Sequence, residues 1–195
     1  MIPFMGCVME RGPDGVRLTG ASRDHMMAVA ITAELFRPPF TVKTVAMTDS
    51  TNLRLYWHVG EVIFNWEVSI RRLKVHDPAT GMWWDADDQG FIAVDQWHEI
   101  VWDVTPRSMR VLVDGVLRFE RDGDWGQIEA PVAIGPCFGS AVTVRSFVVE
   151  RGSPSVAYDR DHSPGCERGL RGDRLAVVTV QTTDASIPVR LTRIP

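Results

Sequence analysis

Turn-forming sequences punctuate this chain at roughly ten-residue intervals, the spacing of an all-β sandwich or barrel. Pro13-Asp14-Gly15, Arg37-Pro38-Pro39, Pro78-Ala79-Thr80-Gly81, Asp114-Gly115 and Asp122-Gly123-Asp124 each interrupt the chain. Proline and glycine at these positions break a long helix, and helical periodicity is weak between them. The intervening runs are short and rich in β-formers, which predicts strands over residues 27–35, 40–47, 52–58, 61–67, 73–76, 97–104, 109–113, 116–119, 132–135 and 141–150. Residues 151–174 are rich in Gly, Pro, Arg and Asp and read as a loop. Two further strands are expected over 175–182 and 187–192, packed on the same domain because a lone hairpin is marginal in water. The expectation is one sandwich over 1–150 with 151–195 appended to it.

Bulk properties narrow the function. With 195 residues and 45% hydrophobic content, the chain can bury one sizeable core. The net charge is -4, with the two signs interspersed, so the basic stripe a nucleic acid requires is missing. No apolar run approaches the ~20 residues of a membrane-spanning helix. Residues 1–10 lack a basic leader and a long apolar stretch, so they do not read as a signal peptide, and a full-length chain of this kind is expected in the cytoplasm. Three cysteines without close spacing suggest neither a disulfide framework nor a zinc site.

One segment carries a resemblance. Trp97-His98-Glu99-Ile100-Val101-Trp102 leads to Met109-Arg110-Val111-Leu112-Val113-Asp114-Gly115, and further on Phe138-Gly139-Ser140-Ala141 feeds a long β run. This resembles the laminin G-like members of the concanavalin A-like lectin and glucanase superfamily, over roughly residues 27–150. The resemblance implies an all-β, two-sheet antiparallel sandwich of the concanavalin A-like jelly-roll kind. That superfold carries sugar-binding modules, glycosidases, lyases and adhesion domains alike. Trp97 and Trp102 are expected as core anchors, and Asp114-Gly115 as a tight hairpin turn.

The hairpin around Val59-Gly60 holds the chemistry. Taking those two residues as the loop pairs His58 with Glu61, Tyr56 with Ile63, Arg54 with Asn65 and Asn52 with Glu67. Alternation sends Leu53, Leu55 and Trp57 to the core, with Val62, Phe64 and Trp66 opposite them. Asn52, Arg54, Tyr56, His58, Glu61, Asn65 and Glu67 are left on the other face. The strand around Leu73 adds Lys74 and His76 outward, with Lys43 and Arg145 as candidates on flanking strands. In the resembled superfamily the concave sheet often hosts a glycan. Asn52, Arg54, Tyr56, Asn65, Glu67 and His76 are therefore the expected floor of a carbohydrate site, with Trp83 or Trp84 as a stacking wall. Adjacent strand residues point to opposite sides, so at most one of those two indoles can face the core. The plainer alternative is a solvated polar face whose cross-strand pairs add ~0.2–1 kcal/mol each.

Catalysis and cofactors have weaker support. The superfamily's hydrolytic signature, Glu-x-Asp-x-x-Glu on one strand, is missing. On a regular strand Glu61 and Glu67 stand about 20 Å apart, too far for a glycosidase pair. Glu67 with His76 could serve a lyase or glycosidase as base and acid, with Arg54 neutralising developing charge. No cofactor is expected. Asp85, Asp87 and Asp88 supply carboxylates for a structural calcium ion but lack the glycine and further ligands of a known calcium loop, so an acidic turn is the simpler reading. His58 and His76 lack a third metal ligand. A non-catalytic sandwich that binds another protein, or a second copy of itself, completes the set of readings.

Overall fold

The computed structural model describes residues 1–20 and 27–152. The strands expected over 175–182 and 187–192 lie outside that range. The described residues form fourteen strands and no helix, in two antiparallel sheets of seven.

The first sheet runs β1 (Ile2–Phe4), β4 (Val29–Ile31), β13 (Val132–Pro136), β6 (Leu53–Trp57), β7 (Gly60–Phe64), β8 (Leu73–His76) and β9 (Trp83–Ala86). The second runs β12 (Val116–Asp122), β11 (Ser108–Val113), β10 (His98–Val104), β5 (Phe40–Thr48), β14 (Val142–Arg151), β3 (Gly15–Thr19) and β2 (Val8–Gly12). Hairpins such as β6–β7 and β10–β11 are local. The sheets are completed by returning strands, β13 between β4 and β6, and β14 between β5 and β3.

The core lies between the sheets and follows the two-residue period of each strand. Phe40, Val42 and Ala46 of β5 are buried, as are Ile100, Trp102 and Val104 of β10. Leu53, Leu55 and Trp57 of β6 meet them from the first sheet, with Val62 and Phe64 of β7 and Leu73 and Val75 of β8. Each such Val, Leu, Ile or Phe side chain, fully removed from water, contributes about 1.5–3 kcal/mol. Trp57 also donates its indole N–H to the Phe36 carbonyl at 3.0 Å.

Two local features explain how the strands are joined. Asp114 and Gly115 take φ of 50° and 77°, the left-handed pair that a two-residue turn between β11 and β12 requires. His98 Nδ1 lies 2.7 Å from the Asp114 carboxylate, and that carboxylate also accepts from the Glu99 amide at 2.9 Å. His98 and Asp114 therefore hold the fold. On β13, a Cβ at Gly135 would collide with the Ala28 carbonyl, so only glycine lets the chain before β4 pass this close.

Several expectations need correcting. Trp97 is half-buried on the outer side of the second sheet, where the Arg145 guanidinium lies 4.0 Å above its ring. Lys43, paired with Glu150 at 2.9 Å, belongs to that sheet too, so neither Lys43 nor Arg145 flanks the polar hairpin. The run 27–35 contributes only the three residues of β4. Strands β1, β2 and β3 form where no strand was expected.

Candidate functional site

The turn between β6 and β7 is His58-Val59, with His58 left-handed at φ 57° and its Nδ1 donating to the Pro78 carbonyl at 2.8 Å. Trp57 therefore pairs with Gly60, Tyr56 with Glu61 and Arg54 with Ile63. The sequence-based register is displaced by two residues. An even displacement preserves parity, so the core and outer faces of the hairpin stay as expected.

The corrected register lines the outer face into rows. One crosses the whole first sheet: Ile2, Ile31, Ala133, Tyr56, Glu61, His76 and Trp83, each opposite the next. At ~4.8 Å between strands the row is roughly 29 Å long. Its first half is apolar and its second half polar. The adjacent row holds Gly135, Arg54, Ile63, Lys74 and Asp85. Trp84, opposite Val75, points the other way and stacks near Phe119 at 6.1 Å between ring centres. Of the two candidate indoles, only Trp83 joins the polar face.

Arg54 is the hub of the polar half. Its Nη1 donates to Glu61 Oε1 at 2.9 Å, and its Nε and Nη2 donate to Asn52 Oδ1 at 2.9 and 2.6 Å. Nη2 also lies 3.4 Å from Glu67 Oε2. The side chains of Arg54, Glu61 and Glu67 are each no more than 9% exposed. Burial opposes the guanidinium's charge, yet the Glu61 carboxylate beside it holds its pKa above the ordinary arginine value.

Glu67 reaches this hub because β7 ends at Phe64. Asn65 turns left-handed, with φ 48°, and the Ser69 amide donates to the Trp66 carbonyl, folding the chain back over the face. This overturns the expected 20 Å between Glu61 and Glu67, which assumed one regular strand. Both carboxylates meet a single planar fork, which keeps the bonded oxygens within roughly 9 Å of each other. The same bend brings Trp66, expected in the core, onto the outer face. Asn65 itself is fully engaged in the bend: it exchanges two hydrogen bonds with the Ile92 backbone and donates a third to Ser50.

Aromatic rings close the far side. Lys74 Nζ lies 4.0 Å from the Trp66 ring centre and 3.6 Å from that of Trp83. Trp83 is 55% exposed, and its ring centre is 4.1 Å from that of His76. His76 Nδ1 is 3.5 Å from Glu61 Oε2, so the imidazole's partner is Glu61 and not the expected Glu67. Burial pushes His76 below the ordinary histidine pKa. Lys74 and Arg54 add to that shift, against Glu61 and Asp85.

Two buried polar atoms here make no well-formed hydrogen bond: His76 Nε2, and the Tyr56 hydroxyl, which is set beside the Glu61 carboxylate opposite it on β7. Burial, with the adjacent Glu61 carboxylate adding to it as a charge and as an acceptor and Arg54 opposing it, pushes the phenol well above the ordinary tyrosine pKa, so the hydroxyl keeps its proton. Cys137 is buried nearby, and burial raises its thiol pKa as well. Strand parity places Glu61 on this face without marking it as part of the site, and it places Trp66 in the core. The pairing of Trp66 and Glu67 with left-handed Asn65 has no signature in a strand-parity count.

The acidic turn is occupied by cations of the chain itself. Arg71 reaches Asp88 at 2.6 Å, and Arg72 reaches Asp87 at 2.8 Å and Asp85 at 3.6 Å. Among the described residues, no three His, Cys, Asp or Glu side chains gather in a way that could hold a metal ion.

No family model and no curated protein matches the chain. Solved structures do match. A Bacillus subtilis protein of unknown function with a galectin-like fold aligns with TM-score 0.63 and 9% identity, over 75% of this chain and 87% of that one. The carbohydrate-binding module CBM66 from Bacillus subtilis aligns with TM-score 0.57 and 7% identity, over 74% and 92%. The Crh5 transglycosylase, solved in complex with NAG, aligns with TM-score 0.55 and 13% identity, over 75% and 76%. At these identities the likeness is one of fold. The chain is a two-sheet antiparallel β-sandwich of an architecture shared with carbohydrate-binding and glycan-processing proteins.

Proposed function

We propose that the chain is a carbohydrate-recognition domain that binds a glycan across the outer face of the first sheet, over β6 to β9. The observation that carries this reading is the juxtaposition of an exposed indole, Trp83, with a buried polar atom that lacks a partner, His76 Nε2, beside the Tyr56 hydroxyl and the Glu61 carboxylate. A buried polar group without a hydrogen bond costs stability, and a surface Trp ring is an apolar platform suited to the face of a sugar. Both features are unfavourable for an inert surface and useful for a binding one.

The expected floor is revised accordingly. Tyr56, Glu61 and His76 present the polar row, with Trp83 and Trp66 as the ring wall. Arg54, Asn52 and Glu67 hold that row in place from below. Asn65 and Trp84 leave the set, because one is engaged in the bend and the other faces the core. Tyr56 Oη and His76 Nε2 are closed off from solvent, so this reading requires the exposed Trp83 ring, packed on His76 and Lys74, to swing aside as the ligand enters.

The test is a glycan array followed by calorimetry on the wild type and Trp83→Ala. A sugar bound by the wild type and lost or at least about tenfold weakened in the variant supports the proposal, on the scale of removing an aromatic anchor. Absence of binding to any glycan at millimolar concentration rejects it.

A second reading, sugar cleavage, is favoured by one observation: Glu61 and Glu67 converge on Arg54, no more than roughly 9 Å apart, so distance alone does not bar them from acting as a carboxylate pair. Against it, both bonded oxygens already face the guanidinium. Release of reducing ends by the wild type, abolished in Glu67→Gln, would establish cleavage in place of binding alone.

A further inference from the structure

The charges of the polar face are paired among themselves, and the pairing bears on which glycan it accepts. Arg54 donates all its short hydrogen bonds to Asn52 and Glu61, with Glu67 on its remaining side. Lys74 is enclosed by the rings of Trp66 and Trp83 and lies 3.7 Å from Asp85. Arg72 is shared between Asp85 and Asp87. Each of the cations Arg54, Arg71, Arg72 and Lys74 in this region is thus matched by a carboxylate, and the five carboxylates Glu61, Glu67, Asp85, Asp87 and Asp88 outnumber them.

The polar atoms left over favour donors on the ligand. With Nδ1 on the side of Glu61, the neutral His76 ring keeps an unfilled lone pair at Nε2, buried against the Trp83 ring. The Tyr56 hydroxyl, whose proton the Glu61 carboxylate draws on, is left to accept. Sugar hydroxyls satisfy both atoms. A carboxylate or sulfate group can donate to neither, and it would enter beside Glu61 without a cation to receive it.

We propose, resting on the carbohydrate-recognition reading above, that this face selects uncharged glycans and discriminates against uronic-acid and sulfated ones. Like charges brought together at an interface cost enough to show as at least about tenfold in affinity.

Calorimetry with the wild-type chain separates the possible results. The probes are neutral gluco-, galacto-, xylo- and arabino-oligosaccharides, oligogalacturonate, and the same oligogalacturonate after carboxyl reduction to the neutral galactan. The expected result is binding of at least one neutral oligomer, with the oligouronate at least tenfold weaker than its reduced form. Equal or tighter binding of the oligouronate, or of a sulfated galactan, overturns the selectivity while leaving carbohydrate recognition standing. Failure of every probe, neutral and acidic, overturns both. A Tyr56→Phe variant, checked for folding by thermal unfolding, should lose neutral-glycan affinity while keeping its low affinity for the oligouronate. An unchanged neutral affinity would remove Tyr56 from the selecting set and contradict the account of the leftover atoms.

Discussion

Glu61 and Glu67, six residues apart in the chain, meet on the two terminal nitrogens of one guanidinium, Arg54 Nη1 at 2.9 Å and Nη2 at 3.4 Å. The cluster makes Arg54 a structural hub more than a ligand contact. Replacing it with Ala takes a buried cation away from two carboxylates and removes the donor to the Asn52 amide oxygen. Loss of one partner from a buried ion pair costs about 3–5 kcal/mol. Arg54→Ala should therefore unfold at markedly lower urea concentration, with an unchanged slope. A loss below about 1 kcal/mol would show the cluster to be open to water.

Tyr56 behaves oppositely. Its hydroxyl is buried beside the Glu61 carboxylate without a well-formed hydrogen bond, so Tyr56→Phe removes a poorly met polar group and leaves the ring in place. Stability should be unchanged or higher, while affinity for a bound glycan falls about threefold to tenfold, the worth of one hydrogen bond. Denaturant unfolding and calorimetry on the same preparation check both halves. Destabilisation of the variant would mean that the hydroxyl is bonded in the folded protein.

His76 links stability to pH. Its imidazole faces Glu61 across β7, Lys74 on its own strand, Trp83 and Asp85 on β9, and Arg54 further along the sheet. Its folded pKa is depressed, first by burial, below the ordinary 6.5. The unfolded chain then binds the proton more readily than the folded one. This contribution is fully present above pH 6.5 and is lost as pH falls through the unfolded and then the folded value. The wild type should lose stability between pH 7 and pH 5 more steeply than His76→Gln, as measured by urea midpoints across that range. Parallel profiles would contradict the shift.

Asp114 combines a left-handed backbone with bonds to His98 and the Glu99 amide. Although partial burial works the other way, those bonds hold its carboxyl below the ordinary carboxylate pKa. Ala tolerates φ near 50° poorly, so Asp114→Ala should cost about 1–2 kcal/mol from backbone strain alone. Asp114→Asn, which accepts that conformation, should cost less. Thermal unfolding of the two variants gives the ranking, and the reverse order would place the turn's stability elsewhere.

Much of the fold is legible in the sequence, for a physical reason. Leu53, Leu55 and Trp57 alternate with polar residues, as Leu73 and Val75 do, so the buried side of β6 and β8 follows from the two-residue period. Asp114-Gly115 announces its own turn. The register of β6 with β7 was less legible, because the turn uses His58 in a conformation usually left to glycine or asparagine. The short edge strand β1 buries none of its residues and gives no hydrophobic signal.

The site was legible in its face but not in its wiring. Parity gathered Arg54, Tyr56, Glu61, Lys74 and His76. The left-handed Asn65, which reverses the roles expected for Trp66 and Glu67, is a backbone event that alternation cannot foresee. Strand order brings β13 beside β6 with only Gly135 and Ala133 facing Arg54 and Tyr56, a relation set by the long return of the chain.

The most direct test follows the indole N–H signals of the seven tryptophans by two-dimensional NMR while a glycan identified on the array is added. Trp66 and Trp83 stand on the proposed face, Trp97 lies on the outer side of the opposite sheet, and Trp125 is in the core. The account predicts that the Trp66 and Trp83 signals shift in a saturable way while those of Trp97 and Trp125 stay fixed. Movement of Trp97 with Trp66 and Trp83 unmoved would put the sugar on the other sheet and contradict it.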